Sequence, residues 1–203
     1  MNRPLTPFLS AVMHRRSIRR YRPEPVPREM IEALLDAAIW APSAHNRQPW
    51  RFAVIQDAQQ KRHLAEAMAL RLRQDLQADG VAAETAARDV ERSVERMTNA
   101  PVLIVVSVSL VDMDVYPDAV RMQHEYVMAV QSTAMAGQNL LLAAHDVGLG
   151  ACWLCAPLFC PEIVRECLDL PADWQPQGLI TLGYPAQQRE KTRHALEKSV
   201  LWR

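Results

Sequence analysis

Val102-Leu-Ile-Val-Val-Ser-Val-Ser-Leu-Val111 is the stretch that decides the architecture. It is rich in β-branched residues, nearly all apolar, and about as long as one strand. A strand with one wet face alternates apolar and polar residues, whereas an unbroken apolar run is covered on both faces. The run therefore predicts a central strand with helices above and below it. Working outward, Thr6 to His14 reads as a short helix with Thr6 as cap and Pro7 in first position. Pro27 opens the next helix, which carries Met30, Ile31, Leu34, Leu35, Ala38 and Ile39 at helical spacing until Pro42 stops it. Arg51 to Gln56 reads as a strand. Asp57 with Gln60 has the pattern of a capping box for a helix ending near Gly80. Glu84 to Met97 is a charged helix, ended by Asn99 and Pro101. Asp118 caps a long helix reaching about Val147, with Gly148 as its stop. The middle of that helix, Met128 to Ala144, is apolar or small on most sides, which predicts burial all round, including across a subunit interface. Ala151 to Cys155 is a strand, Pro161 opens a short helix that ends before Pro171, and Gln177 to Tyr184 is the last strand. The class is α+β, a central sheet wrapped by helices.

The chain has 203 residues, enough for one domain with a sizeable core, with no internal repeat or linker. With 49% hydrophobic residues, 23% charged residues and zero net charge, it is neither disordered nor a bulk-charge nucleic-acid binder. No apolar run approaches the roughly 18 residues that cross a membrane. Met1-Asn2-Arg3-Pro4 offers no secretory core. The four cysteines crowd between positions 152 and 167, a pattern expected of reduced thiols in the cytoplasm.

Two segments carry chemistry. Arg15-Arg16-Ser17-Ile18-Arg19 offers planar guanidinium forks and a hydroxyl, groups that suit phosphate oxygens. The same run could equally be a solvated basic turn between helices. Pro42-Ser43-Ala44-His45-Asn46-Arg47-Gln48-Pro49 concentrates amides that present both donor and acceptor, as the edge of a pyrimidinedione ring requires. It could equally be a helix-stop loop whose amides cap backbone groups. Together they suggest a phosphate grip and a flat-ring cradle. Gly148-Leu-Gly-Ala-Cys152 would let a ligand approach the backbone. Cys152 and Cys155 point to opposite faces of a strand and lack further ligands, so a zinc or redox pair is not expected. Asp112, Asp114 and Asp118 bracket a solvated loop. There is no Walker loop, nucleophile elbow or dinucleotide glycine fingerprint.

In order along the chain, Arg15-Arg-Ser-Ile-Arg19, Trp40-Ala-Pro-Ser-Ala-His-Asn-Arg-Gln-Pro-Trp50, Gly148-Leu-Gly-Ala-Cys-Trp153, Gly183-Tyr-Pro185 and Lys191-Thr-Arg193 resemble the nitroreductase family of FMN-dependent oxidoreductases. The resemblance covers nearly the whole chain. It implies a nitroreductase-like mixed sheet and a homodimer with FMN at its interface. Arg15, Arg16, Ser17 and Arg19 would bind phosphate, ribityl and the ring's carbonyl edge, with Lys191 and Arg193 completing the grip. Pro42, Ser43, Ala44, Asn46 and Gln48 would line the flavin, largely from the partner chain. The backbone at Cys155 and Ala156 would lie near the reactive nitrogen, where many relatives carry Glu-Gly or a glycine instead.

Within that family, Tyr116-Pro-Asp-Ala119 and Leu168-Asp-Leu-Pro-Ala-Asp-Trp-Gln-Pro-Gln-Gly178 are similar to the flavin domain attached to the ligase of deazaflavin-coenzyme synthesis. The implied activity is hydride uptake from NAD(P)H and reduction of a small nitroaromatic, quinone or enone-like acceptor by a ping-pong mechanism. Reduction or binding of a deazaflavin precursor, and flavin binding without turnover, are the alternatives. No residue is expected to act as a nucleophile, and no metal, nucleic acid or membrane is expected as partner.

Overall fold

The computed structural model describes residues 5–188 and 190–203; the N-terminal tetrapeptide read for a secretory core lies outside them. Its regular elements are α1 (Pro7–His14), α2 (Arg28–Ile39), β1 (Trp50–Ile55), α3 (Ala58–Ala78), α4 (Ala83–Thr98), β2 (Val102–Val108), α5 (Ala119–Asp146), β3 (Gly150–Leu154), α6 (Pro161–Cys167) and β4 (Gln175–Gly183). The four strands form one sheet in the order β1-β2-β4-β3.

β2 is buried along its whole length, as its apolar run demands. Alternate side chains point to opposite faces. Val102, Ile104 and Val106, with Ile180 and Leu182 of β4, pack against Ile31, Leu34 and Ala38 of α2 and Leu140 and Ala144 of α5. Leu103 and Val105, with Leu179, pack against Leu64, Ala65 and Met68 of α3, Met97 of α4 and Val164 of α6. Burying each such side chain contributes roughly 1.5–3 kcal/mol, so the central strand anchors both helical layers at once.

The helix punctuation read from the sequence is present. Thr6 Oγ1 accepts from Leu9 N at 3.3 Å, and Asp57 Oδ1 from Gln60 N at 2.7 Å. Asp118 Oδ1 accepts from Arg121 N at 2.9 Å, and Gly148 ends α5 with φ of 81°.

Two strand boundaries are corrected. β2 ends at Val108 rather than Val111, because β1 begins at Trp50 opposite Val108 and leaves later residues no ladder partner. Ser109 instead donates its N–H to Pro49 O at 2.8 Å and its hydroxyl to Asp173 at 2.6 Å. β3 stops at Leu154, so Cys155 begins a short 3-10 turn and does not extend the strand. The ladders are all antiparallel, and the parallel component is the bridge between Ser17 and Ala151. Within the single chain, Val127, Gln131, Ala134, Met135 and Gln138 of α5 form an exposed stripe at helical spacing, the flank for which the sequence predicts a subunit interface. Within one chain nothing covers that flank.

Candidate functional site

The basic run leaves α1 at Arg15 and docks on the outer edge of β3. Ile18 N donates to Ala151 O at 3.0 Å, beside the Ser17–Ala151 bridge. A Cβ on Gly150 would lie 2.8 Å from Ile18 Cβ, so glycine there permits this docking. The small residues after α5 thus admit the chain's own Ile18, and they also line a cavity of about 510 Å³ beside Arg15 and Arg16. Tyr21 holds the other end of the segment. Its hydroxyl lies 2.5 Å from Ile18 O and 3.0 Å from Thr181 O, and 2.7 Å from Thr181 Oγ1.

Burial holds the Tyr21 phenol well above its usual pKa of 10.0. The folded state keeps the proton that the unfolded chain loses above that pH, so stability carried by this hydroxyl falls as pH rises past about 10. Tyr21→Phe is expected to lower unfolding free energy by about 1–3 kcal/mol, since it strands buried acceptors. It is also expected to flatten the alkaline decline. Denaturant titrations between neutral pH and pH 11 check both, and unchanged stability would refute the anchoring role.

Arg15, Arg16, Ser17 and Arg19 share a concavity of about 180 Å³ with Lys191 and Arg193. The two cationic groups, some 175 positions apart, therefore converge: Arg16 Nη2 donates to Lys191 O at 3.3 Å. Arg16 also donates through Nη1 to Met13 O at 2.6 Å and Arg15 O at 2.8 Å, which closes the end of α1. Burial first, then the facing Arg193 and Arg16, pull the Arg15 guanidinium below its ordinary pKa. The Nε atoms of Arg15 and Arg16 are buried without a hydrogen-bond partner. Crowded cations with orphaned donors are costly alone and are relieved by an anion.

The amide-bearing loop sits elsewhere. It leads into β1, at the opposite edge of the sheet from β3. Three strand spacings, about 14 Å, separate the two edges. Its backbone is bent sharply, with φ of 50° at His45, 56° at Asn46 and 50° at Gln48. Left-handed backbone costs non-glycine residues roughly 1–2 kcal/mol each, and local bonds hold it. Ser43 Oγ accepts from Gln48 N at 3.0 Å, and Gln48 Nε2 donates to Asn46 Oδ1 at 3.3 Å. Ala44 N donates to Ser132 Oγ of α5 at 3.3 Å. Pro42, Asn46 and Gln48 stand exposed. The loop's amides satisfy one another in part, so their density alone does not demand a ligand. Asp114 pairs with Arg47, and Asp112 with Arg51 at 3.1 Å, so the acidic loop is tied down and not simply solvated.

Cys155 is exposed and Ala156 half-buried at the far end of β3. Four residue steps, about 13 Å, separate Cys155 from Ala151 at the Ser17 bridge. Cys152 is buried, and burial pushes its thiol pKa up. It behaves as a small core residue.

One cluster was not read from the sequence. Arg88, Glu91, Arg92, Glu95, Arg96 and Asn99 of α4 line a cleft of about 550 Å³ with Arg19 and Arg20. The signal was present as arginines at i, i+4 and i+8 on one helical face, but only the fold shows which segment that face meets.

A family model described as the nitroreductase family matches residues 12–184. A protein from Thermus thermophilus named NADH dehydrogenase is 33% identical, with 98% of each chain covered. A solved structure from Desulfovibrio desulfuricans, described as a nitroreductase in complex with FMN, is 31% identical over 98% of each chain, with a TM-score of 0.76. A BluB-like flavoprotein from Clostridium difficile shares the fold at 22% identity, with a TM-score of 0.78 over 95% of this chain and 97% of that one.

Proposed function

This chain belongs to the nitroreductase family, and from that premise we propose that it is an FMN-dependent oxidoreductase. It takes reducing equivalents from NAD(P)H and delivers them to a small organic acceptor of nitroaromatic, quinone or enone type. The observation that carries the reading is the convergence of Arg15, Arg16, Ser17 and Arg19 with Lys191 and Arg193 on one small concavity, with buried guanidinium donors left unpartnered. Those groups fit a phosphomonoester. When bound, FMN supplies hydride acceptance and two-electron transfer, chemistry that side chains cannot perform.

The chain's own residues bind and orient. Arg15, Lys191 and Arg193 would neutralise the phosphate and Ser17 would donate a hydrogen bond to it, while Arg16 ties α1 to the tail and shapes the pocket. Arg19, which lines the same concavity, would hold positive charge near the bound cofactor, where it would favour electron-rich states. Pro42, Ser43, Ala44, Asn46 and Gln48 cradle the ring, and the Cys155–Ala156 backbone borders its reactive side. Because the loop and the phosphate grip lie at opposite sheet edges, the loop is supplied by a second copy, which makes the protein a homodimer. The uncovered apolar surface supports this. α1 has no buried residue, Phe8 and Met13 are exposed, and Trp202 in the tail is 85% exposed. With FMN bound, donor and acceptor would use the site in turn, in ping-pong fashion. Residues 1–203 serve as one FMN-binding unit. All four cysteines are free, in keeping with a cytoplasmic setting. No helix among the described residues is long and apolar enough to cross a membrane.

Apoprotein titrated with FMN is expected to bind it stoichiometrically, one per chain, as a dimer in sedimentation. Anaerobic NADH or NADPH then bleaches the bound flavin, and an added quinone or nitroaromatic restores its colour. Protein that does not take up FMN overturns the reading. Bound flavin that neither nucleotide bleaches would instead mark a binding module without turnover.

A further inference from the structure

The phosphate pocket does not exhaust the positive charge on this side of the molecule. Past Arg19 lies the α4 cleft of about 550 Å³, lined by five arginines and two glutamates. Positions 88, 92 and 96 recur every fourth residue, so the guanidinium groups of α4 form one row. The opposite face of the helix buries Ala86, Val90 and Met97 and fixes its rotation. Arg20 closes the row from the basic segment. The whole chain has zero net charge, so the cleft's surplus, three positive charges by its lining and two once the Asp89 that pairs with Arg92 is counted, is local. Arg92 pairs with Asp89, and Arg88 donates to Thr85 Oγ1 at 3.3 Å, which pre-orders both side chains along the rim.

FMN carries one strongly anionic group, and that group already has its own cations in the neighbouring concavity. A pyrimidine edge offers only neutral carbonyls. The row beyond Arg19 is therefore more positive than the cofactor requires. Planar guanidinium groups in series match phosphate or carboxylate oxygens. A positive cleft also raises the local concentration of anionic substrates.

We propose that the cleft between Arg19–Arg20 and the Arg88–Arg92–Arg96 face of α4 binds the phosphate or carboxylate group of a substrate that exchanges electrons with the flavin. The inference rests on the FMN reading above and deepens it. Two sources share this chemistry: the 2′-phosphate of a reduced nicotinamide dinucleotide, and an acidic group on the acceptor.

The test compares FMN-loaded wild type with Arg88→Ala/Arg92→Ala, both positions being exposed. Donors are NADPH and NADH; acceptors are 4-nitrobenzoate and 4-nitrobenzyl alcohol. The double variant is expected to raise KM about three- to tenfold for the member of one pair that carries the additional anionic group, as two partly exposed ion pairs would. Its twin lacking that group, kcat and FMN affinity stay unchanged. A shift for NADPH assigns the cleft to the donor, and a shift for nitrobenzoate assigns it to the acceptor. Added salt erodes the same preference in wild type. Arg62→Ala/Arg73→Ala, an equal charge loss on α3, leaves it intact.

Unaltered selectivity in both pairs overturns the inference. So does weakened FMN binding with unaltered selectivity, which would return the cleft to the cofactor. Calorimetry of NADP⁺ against NAD⁺, and of the two nitro compounds, reads the same preference without turnover. Wild type that takes up no FMN sinks the functional reading. In that case equal affinities in both calorimetric pairs sink the cleft as well, and a preference abolished in the double variant leaves it standing.

Discussion

Arg15→Ala/Arg193→Ala will be isolated without flavin, while its fold is retained. A hydrogen bond to a charged group is worth about 1.5–3 kcal/mol. Two of them together represent about 3–6 kcal/mol, or roughly a hundredfold to ten-thousandfold in dissociation constant. The sign of the stability change separates a ligand site from a structural one. Burial first, then Arg193 and Arg16, depress the Arg15 pKa, so these cations repel one another. Removing two of them relieves that repulsion, and the apoprotein should melt no lower than wild-type apoprotein. FMN should raise the wild-type melting temperature in proportion to its binding and leave the double variant unmoved. Arg16→Ala serves as the contrast. It loses the bonds to Met13 O and Lys191 O as well, and so should lose apoprotein stability together with FMN. Undiminished FMN affinity in the double variant would remove the phosphate assignment.

Gly178→Ala is the stability variant with the largest expected effect. A Cβ at Gly178 would fall inside 3.0 Å of the Trp153 indole, and a Cβ at Gly137 would do the same from the other side. The half-buried ring of β3 thus lies against both a strand glycine and a helix glycine, so it cannot retreat from Gly178 toward Gly137. Overpacking costs about 1–3 kcal/mol, and a ring held from both sides belongs at the upper end. For a domain of this size about 3 kcal/mol lowers the melting temperature by roughly 6–12 °C. Trp153→Leu in the same chain should recover part of the loss, giving a strongly non-additive cycle. Thermal melts of the two single variants and the pair decide the matter, and additive losses would show that the indole is free to move. The clash would also displace the end of β3 that presents Cys155 and Ala156.

Much of the fold was legible because its signals are local. Val102 to Val108 could be read as doubly covered since seven consecutive buried positions leave no room for a polar alternation. Thr6, Asp57 and Asp118 announced their helices because a capping side chain bonds to a backbone N–H only three residues away. The boundaries that slipped are those set by partners. Nothing within Ser109 to Val111 says that β1 starts too late to pair with it. On α5, composition reports apolarity, whereas coverage of its exposed stripe depends on what lies beyond the single chain.

Site residues divided in the same way. Arginine and serine in tandem, or amides packed into a proline-framed loop, state what each segment is able to bind. They do not state where the segments lie. That the chain's residue types suit a phosphate and a flat ring, and that its central strand is sheathed by helices, follows from side-chain chemistry and periodicity, which are properties of neighbours along the chain. That Lys191 and Arg193 meet Arg15, that the amide loop is held at the far edge of the sheet, and that the α4 arginines face Arg19 were decided by tertiary structure alone. Such pairings join positions dozens to nearly two hundred residues apart, and they are set by sheet order and helix rotation, which no local pattern encodes.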